Sequence, residues 1–218
     1  MNPPATMDRL LATFERLNTE LWPAHAVGIT LALAVLALVV AKHRRASSFT
    51  LAALGFLWIA TGTIFHWLYF RPIGGAGGWL AGVFVVQGVS FLIAARRPRT
   101  SFRFDGSGFS WLGLGLAAFA VIGYPVSGYL LRGTFLHAAW IGIFPCPVGV
   151  FTMGMFLMSE RVAPKALLVI PTLWALAGLR PVLWGVTEDI VLLAGGLLAA
   201  VLVMIRDGRA PAAPRSAH

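Results

Sequence analysis

Residues 140–154 read WIGIFPCPVGVFTMG, and they include the only cysteine of the chain, Cys146. Two prolines, Pro145 and Pro147, flank this cysteine within an otherwise apolar run. A proline inside a helix has no N–H group to donate, and its ring displaces the carbonyl group four residues earlier. The stretch therefore predicts a membrane helix that is broken at the Pro-Cys-Pro sequence.

The predicted break frees the backbone carbonyl groups of Ile141 and Ile143, each of which lies four residues before a proline. In a lipid bilayer, free carbonyl groups persist only where protein or a water-filled cavity covers them. Broken helices of this kind coordinate cations in transporters. We therefore expect a polar pocket at the break, to which the hydroxyl group of Thr152 contributes from deeper in the helix.

Composition places the chain among membrane proteins that span the bilayer several times. It has 218 residues, of which 58% are hydrophobic and 11% are charged, whereas soluble domains carry about 25% charged residues. A single cysteine excludes an intramolecular disulfide. The common phosphate-binding, zinc-binding and nucleophile motifs of enzymes do not occur in the sequence. An enzyme is therefore the less favoured class, and no cofactor is predicted.

The hydropathy pattern predicts an all-α bundle of about seven membrane spans, each close to the roughly 20 residues that a bilayer requires. An amphipathic helix on the outer face precedes the bundle, because Leu10, Phe14 and Leu17 fall on one helical face. The predicted domains are this helix (1–21), the bundle (22–205) and a disordered cytoplasmic tail (206–218). The predicted spans are 23–41, 49–70, 74–95, 109–131, 139–158, 164–184 and 187–205.

The fifth span allows two arrangements because of its prolines. It crosses the membrane as one kinked span, or residues 135–144 form an outer re-entrant half-helix instead. In the second arrangement the apolar remainder, residues 148–158, is short for a crossing. The alternation of charged loops along the chain favours the kinked span.

The basic residues predict the orientation of the bundle. Twelve of the 17 Lys and Arg side chains fall in alternate loops on one side, and cytoplasmic loops are enriched in these residues. We therefore expect a cell inner membrane protein with its N-terminus outside and its C-terminus in the cytoplasm. The same bias accounts for the net charge of +9, so nucleic acid is not an expected partner. The twelve residues are Lys42, Arg44, Arg45, Arg96, Arg97, Arg99, Arg103, Arg161, Lys165, Arg206, Arg209 and Arg215.

In this arrangement several polar groups fall near the outer side of the bundle. They are His66, His137, Cys146, Glu188 and Asp189. Ionisable groups inside a membrane are functional candidates, so these residues and those of the predicted break form the candidate pocket. His66 and Cys146 are also candidate ligands for a metal ion. The structural alternatives are a histidine bonded to a carbonyl group, a small buried cysteine, and acidic residues that complement a helix dipole.

Gly74, Gly78 and Gly82 form a double GxxxG pattern in the third span. Small residues at this spacing indicate close packing between membrane helices. The pattern predicts either packing inside the bundle or a homo- or hetero-oligomer that forms through this face.

The chain resembles an uncharacterised family of small bacterial integral membrane proteins, a domain of unknown function whose members sometimes carry the label permease. The resemblance implies a membrane fold and supplies no established activity. Its relatives are expected to have a hydroxyl residue after the second proline, where this chain has Val148. The matching landmarks are Asn18 with Leu21-Trp22-Pro23, His66-Trp67-Leu68-Tyr69-Phe70, Pro145-Cys146-Pro147 with Phe151-Thr152-Met153-Gly154, Ile170-Pro171-Thr172-Leu173-Trp174, and Glu188-Asp189-Ile190.

Together these features favour a small permease or channel-like protein with an outward-facing polar pocket. Its expected partners are the lipid bilayer and a small solute or ion that the sequence does not name. Two alternatives stay open. One is an intramembrane enzyme or metal-handling protein that uses Cys146 and His66, and the other is a non-catalytic subunit or assembly factor of a membrane complex.

Overall fold

The computed structural model describes residues 3–72, 76–160 and 164–208, with side chains from residue 7 onward. Within this part of the chain eight helices account for most residues, and one isolated bridge joins Phe102 to Ser159. The prediction of an all-α helical bundle is confirmed. The helices are α1 (Pro3–Glu20), α2 (Trp22–Val40), α3 (Ala46–Phe70), α4 (Gly77–Arg96), α5 (Gly108–Arg132), α6 (Pro145–Leu157), α7 (Lys165–Leu183) and α8 (Thr187–Gly208).

Six of these helices, α2 to α5 with α7 and α8, are long and apolar enough to cross a membrane. This agrees with the prediction of a membrane protein. Three of the six contain π-helical turns, which are rare and often occur at functional sites. The turns are Thr61–Phe70 in α3, Phe119–Gly123 in α5 and Val191–Gly195 in α8.

Helix α6 differs from its prediction. It begins at Pro145, with Phe144 as the preceding cap residue. A proline at the first helical position removes no hydrogen bond, because the first N–H groups of a helix have no acceptor within it. The predicted helix break at the Pro-Cys-Pro sequence is therefore wrong, since this sequence marks the start of a helix. Ile141 and Ile143 lie in the non-helical segment before that start, so their carbonyl groups are not freed from a helix.

With 13 residues, α6 is too short to cross a bilayer by itself. All 13 residues are nevertheless buried, so the helix contacts protein along its whole length. At its C-terminal end the N–H group of Arg103 donates to the Met158 carbonyl at 3.0 Å. The guanidinium group of Arg206, near the end of α8, donates to the Ser159 carbonyl at 2.6 Å. α6 therefore reaches the end of the bundle where α4 and α8 finish. The predicted fifth span, residues 139–158, is not among the six candidate spans, so the prediction of about seven spans exceeds the six found in the described residues.

The segment before α6 packs on α2 through a contact between two glycines. A Cβ atom on Gly28 would lie 2.5 Å from both the Cα atom of Gly142 and the carbonyl oxygen of Ile141. Gly142 also has a φ of 117°, which favours glycine. The two glycines therefore let protein enclose non-helical backbone at this depth, as a membrane protein requires.

Helix α1 packs on the bundle through one face, as its pattern predicts. Leu10, Phe14 and Leu17 are buried in the hydrophobic core. The buried amide of Asn18 joins α1 to the segment that leads into α6. It donates to the carbonyl groups of Phe135 at 3.4 Å, Leu136 at 2.6 Å and Ala138 at 2.9 Å.

The C-terminal end of α1 contacts the end of α3. The hydroxyl group of Tyr69 donates to Glu20 at 2.5 Å, and Arg16 forms an ion pair with the same carboxylate at 2.8 Å. The hydrogen bond from Tyr69, followed by that from Arg16, holds the pKa of Glu20 below its usual value. The hydrogen bond from Tyr69 therefore joins the end of α3 to the last turn of α1 at an exposed position.

The two ends of the bundle differ in charge. The loops after α2, α4 and α6 meet at one end, where the N–H group of Phe102 donates to Ser47 at 3.0 Å and that of Glu160 donates to Ser101 at 2.8 Å. We call it the basic end, because it carries the Arg-rich loops. The opposite end, formed by α1 and the segment between α5 and α6, is the α1 end. α8 continues to Gly208, so residues 206–208 of the predicted disordered tail are helical, and residues 209–218 lie outside the described residues.

Candidate functional site

The buried side chains of Cys146 and Asp189 meet where α6 and α8 begin. The thiol group donates to the Asp189 carboxyl, with Sγ and Oδ2 at 3.1 Å. Only 9% of Cys146 and 1% of Asp189 is exposed. Both residues lie in the first turn of a helix, where the positive end of the helix dipole stabilises a negative charge. The two helix starts thus bring a thiol and a carboxyl group together inside the protein.

Tyr124 of α5 belongs to the same cluster. Its side chain is fully buried, and its phenol interacts electrostatically with both Asp189 and Cys146. The Tyr124 hydroxyl approaches the Asp189 carboxyl group but does not complete a hydrogen bond with it, and neither this hydroxyl nor Oδ1 of Asp189 has another partner among the described residues. Tyr124 directly follows the π turn Phe119–Gly123, whose wider turn adjusts the direction in which the next side chain points.

A buried ion pair borders the cluster on the side of the α1 end. Nη2 of Arg132, the last residue of α5, lies 2.7 Å from Oε1 and 2.8 Å from Oε2 of Glu188. The side chains of Arg132 and Glu188 are 9% and 0% exposed. Nη1 of Arg132 is buried without a partner among the described residues. We call the five residues Tyr124, Arg132, Cys146, Glu188 and Asp189 the acidic cluster.

The acidic cluster contains two carboxyl groups and one permanent positive charge. Since Arg132 is paired with Glu188, ionised Asp189 would have only neutral hydrogen-bond donors and two helix dipoles to stabilise it. An ionised group in a low-dielectric interior is costly without a charged partner. The cluster is therefore neutral when Asp189 carries a proton and has a net charge of −1 when it does not.

His66, which the sequence places at a similar depth, lies in a separate aromatic enclosure. Its ring is 1% exposed, and the ring centroids of Phe84 and Trp174 lie 4.4 Å and 5.5 Å away. Both ring nitrogens lack a partner among the described residues. The Trp174 indole also packs on α6, since its Cδ1 atom lies 3.0 Å from the position of a Cβ atom on Gly149. The indole therefore contacts both α6 and the His66 ring, and no polar contact joins His66 to the acidic cluster within the described chain.

The other candidate residues also lie apart from the acidic cluster. Thr152 accepts a hydrogen bond from Trp58 Nε1 at 2.9 Å and donates to the Val148 carbonyl at 2.7 Å. His137 is partly exposed at the α1 end, with Nε2 at 3.5 Å from Glu15. Thr152 therefore links α3 to α6, and His137 links α1 to the segment before α6.

The candidate metal ligands do not converge. His66 and Cys146 are not in contact, and both carboxylate oxygens of Glu188 bind Arg132. Within the described residues there is no group of three or more His, Cys, Asp or Glu side chains placed to hold a metal ion. The geometry therefore supports no metal centre in this part of the chain.

The GxxxG residues are only partly within the described chain, since Gly74 lies outside it. Gly82 is exposed, and a Cβ atom there would have no neighbour within 4 Å. α4 packs on α3 through a different face, where a Cβ atom on Gly88 would lie 2.7 Å from the Gly55 carbonyl oxygen. Of the two predicted roles of this face, packing inside the bundle is therefore wrong for Gly82, and an oligomer that forms through the face stays a prediction.

Comparison with known families adds one finding to this geometry. The family model DUF6064, described as a family of unknown function, matches residues 7–213. The chain belongs to this family. The match covers all eight helices except the start of α1, and it includes every residue of the acidic cluster. No curated protein and no solved structure matches the chain.

Sequence reasoning found three members of the acidic cluster and missed two, Tyr124 and Arg132. An arginine at the end of an apolar span is typical of a side chain that extends to the membrane surface, and its partner Glu188 lies 56 residues later. One signal was present in the sequence. Tyr124, Gly128 and Arg132 are spaced by four residues and share one helical face, and a Cβ atom on Gly128 would lie 2.7 Å from Ala138.

Proposed function

We propose that this protein is a small permease in which Asp189 binds and releases a proton. The observation that carries the proposal is the environment of this carboxyl group, which is 1% exposed and bonded to the Cys146 thiol, without a charged partner of its own. Intramembrane carboxyl groups with such partners are typical of proton relays in pumps and transporters. The proton is either the transported ion or the ion that drives a solute.

The polar atoms that lack partners support a proton over a metal cation. A hard cation such as Ca²⁺ requires about six oxygen ligands, whereas a proton requires one acceptor. The Tyr124 hydroxyl, Asp189 Oδ1 and Arg132 Nη1 are buried without partners among the described residues. A water molecule or a polar solute atom that reached the cluster would find two donors and one acceptor there, and it would connect Asp189 to the ion pair.

The fold supports a path from the α1 end. Arg132 is the last residue of α5, and Glu188 is the second residue of α8. Their ion pair therefore lies between Asp189 and the α1 end. Two π turns, Phe119–Gly123 and Val191–Gly195, flank the cluster in the same two helices. Opening of the Arg132–Glu188 pair would expose Asp189 to the medium at the α1 end.

We also propose that the α1 end faces outside and the basic end faces the cytoplasm. The support is the excess of Lys and Arg side chains in the loops that meet at the basic end. In this orientation the proton enters from outside. Labelling of single cysteines placed in these loops, on a Cys146→Ser background, with a reagent that does not cross membranes tests the orientation in intact cells.

The function is tested in proteoliposomes that contain a pH-sensitive dye. An imposed proton gradient, with valinomycin and potassium to balance charge, should acidify wild-type vesicles faster than protein-free vesicles. Asp189→Asn removes the proton-binding group with little change of shape, so it should abolish this flux. Asp8→Asn, a matched change at an exposed position of α1, should leave it intact.

The same assay distinguishes the two roles of the proton. Flux in the absence of any solute indicates that the proton itself is transported. Flux that requires a member of a solute panel indicates coupled transport. The proposal is wrong if Asp189→Asn vesicles acidify as fast as wild-type vesicles under both conditions.

A further inference from the structure

A small polar cavity lies at the basic end, whereas the acidic cluster lies toward the α1 end. It has a volume of about 220 Å³, below the roughly 300 Å³ at which pockets for drug-sized ligands begin. Its lining comes from the loop after α2, the first turn of α3 and the loop after α4. The lining residues are Arg44, Ser47, Ser48, Pro98, Arg99, Thr100 and Ser101.

The N-terminus of α3 forms one wall of this cavity. Ser47 and Ser48 lie in the first turn of this 25-residue helix, and its cap residue, Arg45, makes no side-chain capping bond. First-turn N–H groups have no acceptor within their helix, and the helix dipole adds a partial positive charge there. This wall therefore favours an anion.

Thr100 provides a second and independent indication of a ligand. It lines the cavity and is 2% exposed, yet its hydroxyl group has no hydrogen-bond partner among the described residues. A buried hydroxyl group without a partner destabilises the folded protein, because it has lost its hydrogen bonds to water. A ligand that accepts a hydrogen bond in the cavity would remove this cost.

The charged groups around the cavity are also suited to an anion. Arg44 and Arg99 line it, and neither forms an ion pair within the described chain. The carboxylate of Glu160 accepts a hydrogen bond from Ser101, a lining residue, at 3.2 Å and lies 3.7 Å from Arg103. That carboxylate is thus partly neutralised by an arginine outside the cavity, and the lining itself carries two positive charges.

We propose that this cavity binds a phosphate group. Arg44 and Arg99 supply charge-assisted hydrogen bonds, the first turn of α3 supplies backbone donors, and Thr100 supplies its hydroxyl group. The phosphate belongs either to the head group of an anionic lipid or to a soluble phosphate compound. The chemistry is the same for both sources, and the experiment below separates them.

Binding is measured on the full-length protein purified in detergent, with two probes. One is phosphatidylglycerol, detected by native mass spectrometry, and the other is inorganic phosphate, detected by calorimetry. Wild type should bind at least one of them. Arg44→Gln/Arg99→Gln should bind the same probe at least about ten-fold more weakly, because it loses both charge-assisted hydrogen bonds.

Two further variants separate a built site from general charge attraction. Lys42→Gln/Arg96→Gln removes the same charge from exposed residues of the basic end that do not line the cavity, and it should bind nearly as wild type does. Thr100→Val keeps the charge and should weaken binding several-fold. Binding of the lipid alone identifies a head group, and displacement of the lipid by inorganic phosphate identifies a site open to soluble phosphates. The proposal is overturned if neither probe binds, if both double variants lose affinity equally, or if Thr100→Val binds as wild type does.

Discussion

The thiol group of Cys146 donates a hydrogen bond to Asp189 at 3.1 Å, although 43 residues separate the two in the chain. This bond joins the first turns of α6 and α8 inside the bundle. Tyr124 reaches the same carboxyl group from α5, and the Arg132–Glu188 pair covers it on the side of the α1 end. The chain's only cysteine is therefore bonded to the one carboxyl group that the proposed function requires, so a change at this carboxyl group should change the spectrum of the thiol.

The bond itself is tested by two substitutions at Cys146. Cys146→Ala removes the donor and leaves Oδ2 of Asp189 unsatisfied, which should lower the free energy of unfolding by about 1–3 kcal/mol. Cys146→Ser keeps a donor and should recover most of that loss. Unfolding in mixed detergent micelles measures both. Equal stability of the alanine and serine variants would show that the hydrogen bond contributes nothing.

The buried ion pair predicts strong coupling between Arg132 and Glu188. Removal of either charge alone, in Arg132→Gln or Glu188→Gln, leaves the other buried without a partner and should cost roughly 3–5 kcal/mol. The double variant should cost much less than the sum of the two single variants. The same unfolding assay provides this double-mutant cycle. Additive losses would mean that the two side chains do not interact in the folded protein.

Asn18 should stabilise the protein out of proportion to its size. Its amide donates to three carbonyl groups of the segment before α6, so Asn18→Ala should cost about 1–3 kcal/mol, and Asn18→Asp should cost more because it places a carboxylate against carbonyl oxygens. Thr19→Ala, at an exposed neighbour that bonds only within α1, is the control. A loss of stability in Thr19→Ala as large as in Asn18→Ala would contradict this role.

The cap of α5 predicts a pH effect at the basic end. Hydrogen bonds from the side chains of Ser107 and Ser110, in that order, lower the pKa of Asp105 from 3.8 to about 2. Because the pKa is lower in the folded state, these bonds stabilise the protein above pH 4 and lose their effect as the pH falls through about 2. The thermal midpoint of wild type should therefore fall toward that of Asp105→Asn over this range. A difference between the two that stays constant from pH 5 to pH 2 would contradict the prediction.

The sequence predicted the spans well and predicted the site less well, for a physical reason. Hydropathy and loop charge are local properties, so the six long helices lie near their predicted bounds, whereas α6 begins six residues after its predicted start. Pro145 breaks a helix if the backbone before it is helical and starts a helix if it is not. In this chain the preceding backbone is non-helical and packs through Gly142 on Gly28, a residue far away in the sequence. A proline in an apolar run looks the same in both cases.

The candidate site shows the same limit. The sequence predicts that Glu188 and Asp189 lie at the start of a helix, and they do. It does not predict their partners, which come from α5 and α6. His66 and Cys146 share a depth in the sequence-based arrangement, and yet Trp174 contacts α6 on one side and His66 on the other. Depth along a helix is visible in a sequence, whereas the direction of a side chain around the bundle is not.

The central claim, that Asp189 gains and loses a proton, is tested most directly by infrared difference spectroscopy of the wild-type protein in lipid between low and high pH. Because the chain has one cysteine, its S–H stretching band belongs to Cys146 alone. We predict that this band shifts with rising pH and that wild type loses one carboxylic acid band that Asp189→Asn lacks, while the band change from the other seven Asp and Glu side chains is common to both proteins. The S–H shift should be absent in Asp189→Asn. Tyr124, Arg132 and Glu188 remain in that variant, so they are not the source of the signal. An S–H band that does not change with pH in wild type, or that changes equally in Asp189→Asn, would contradict the claim.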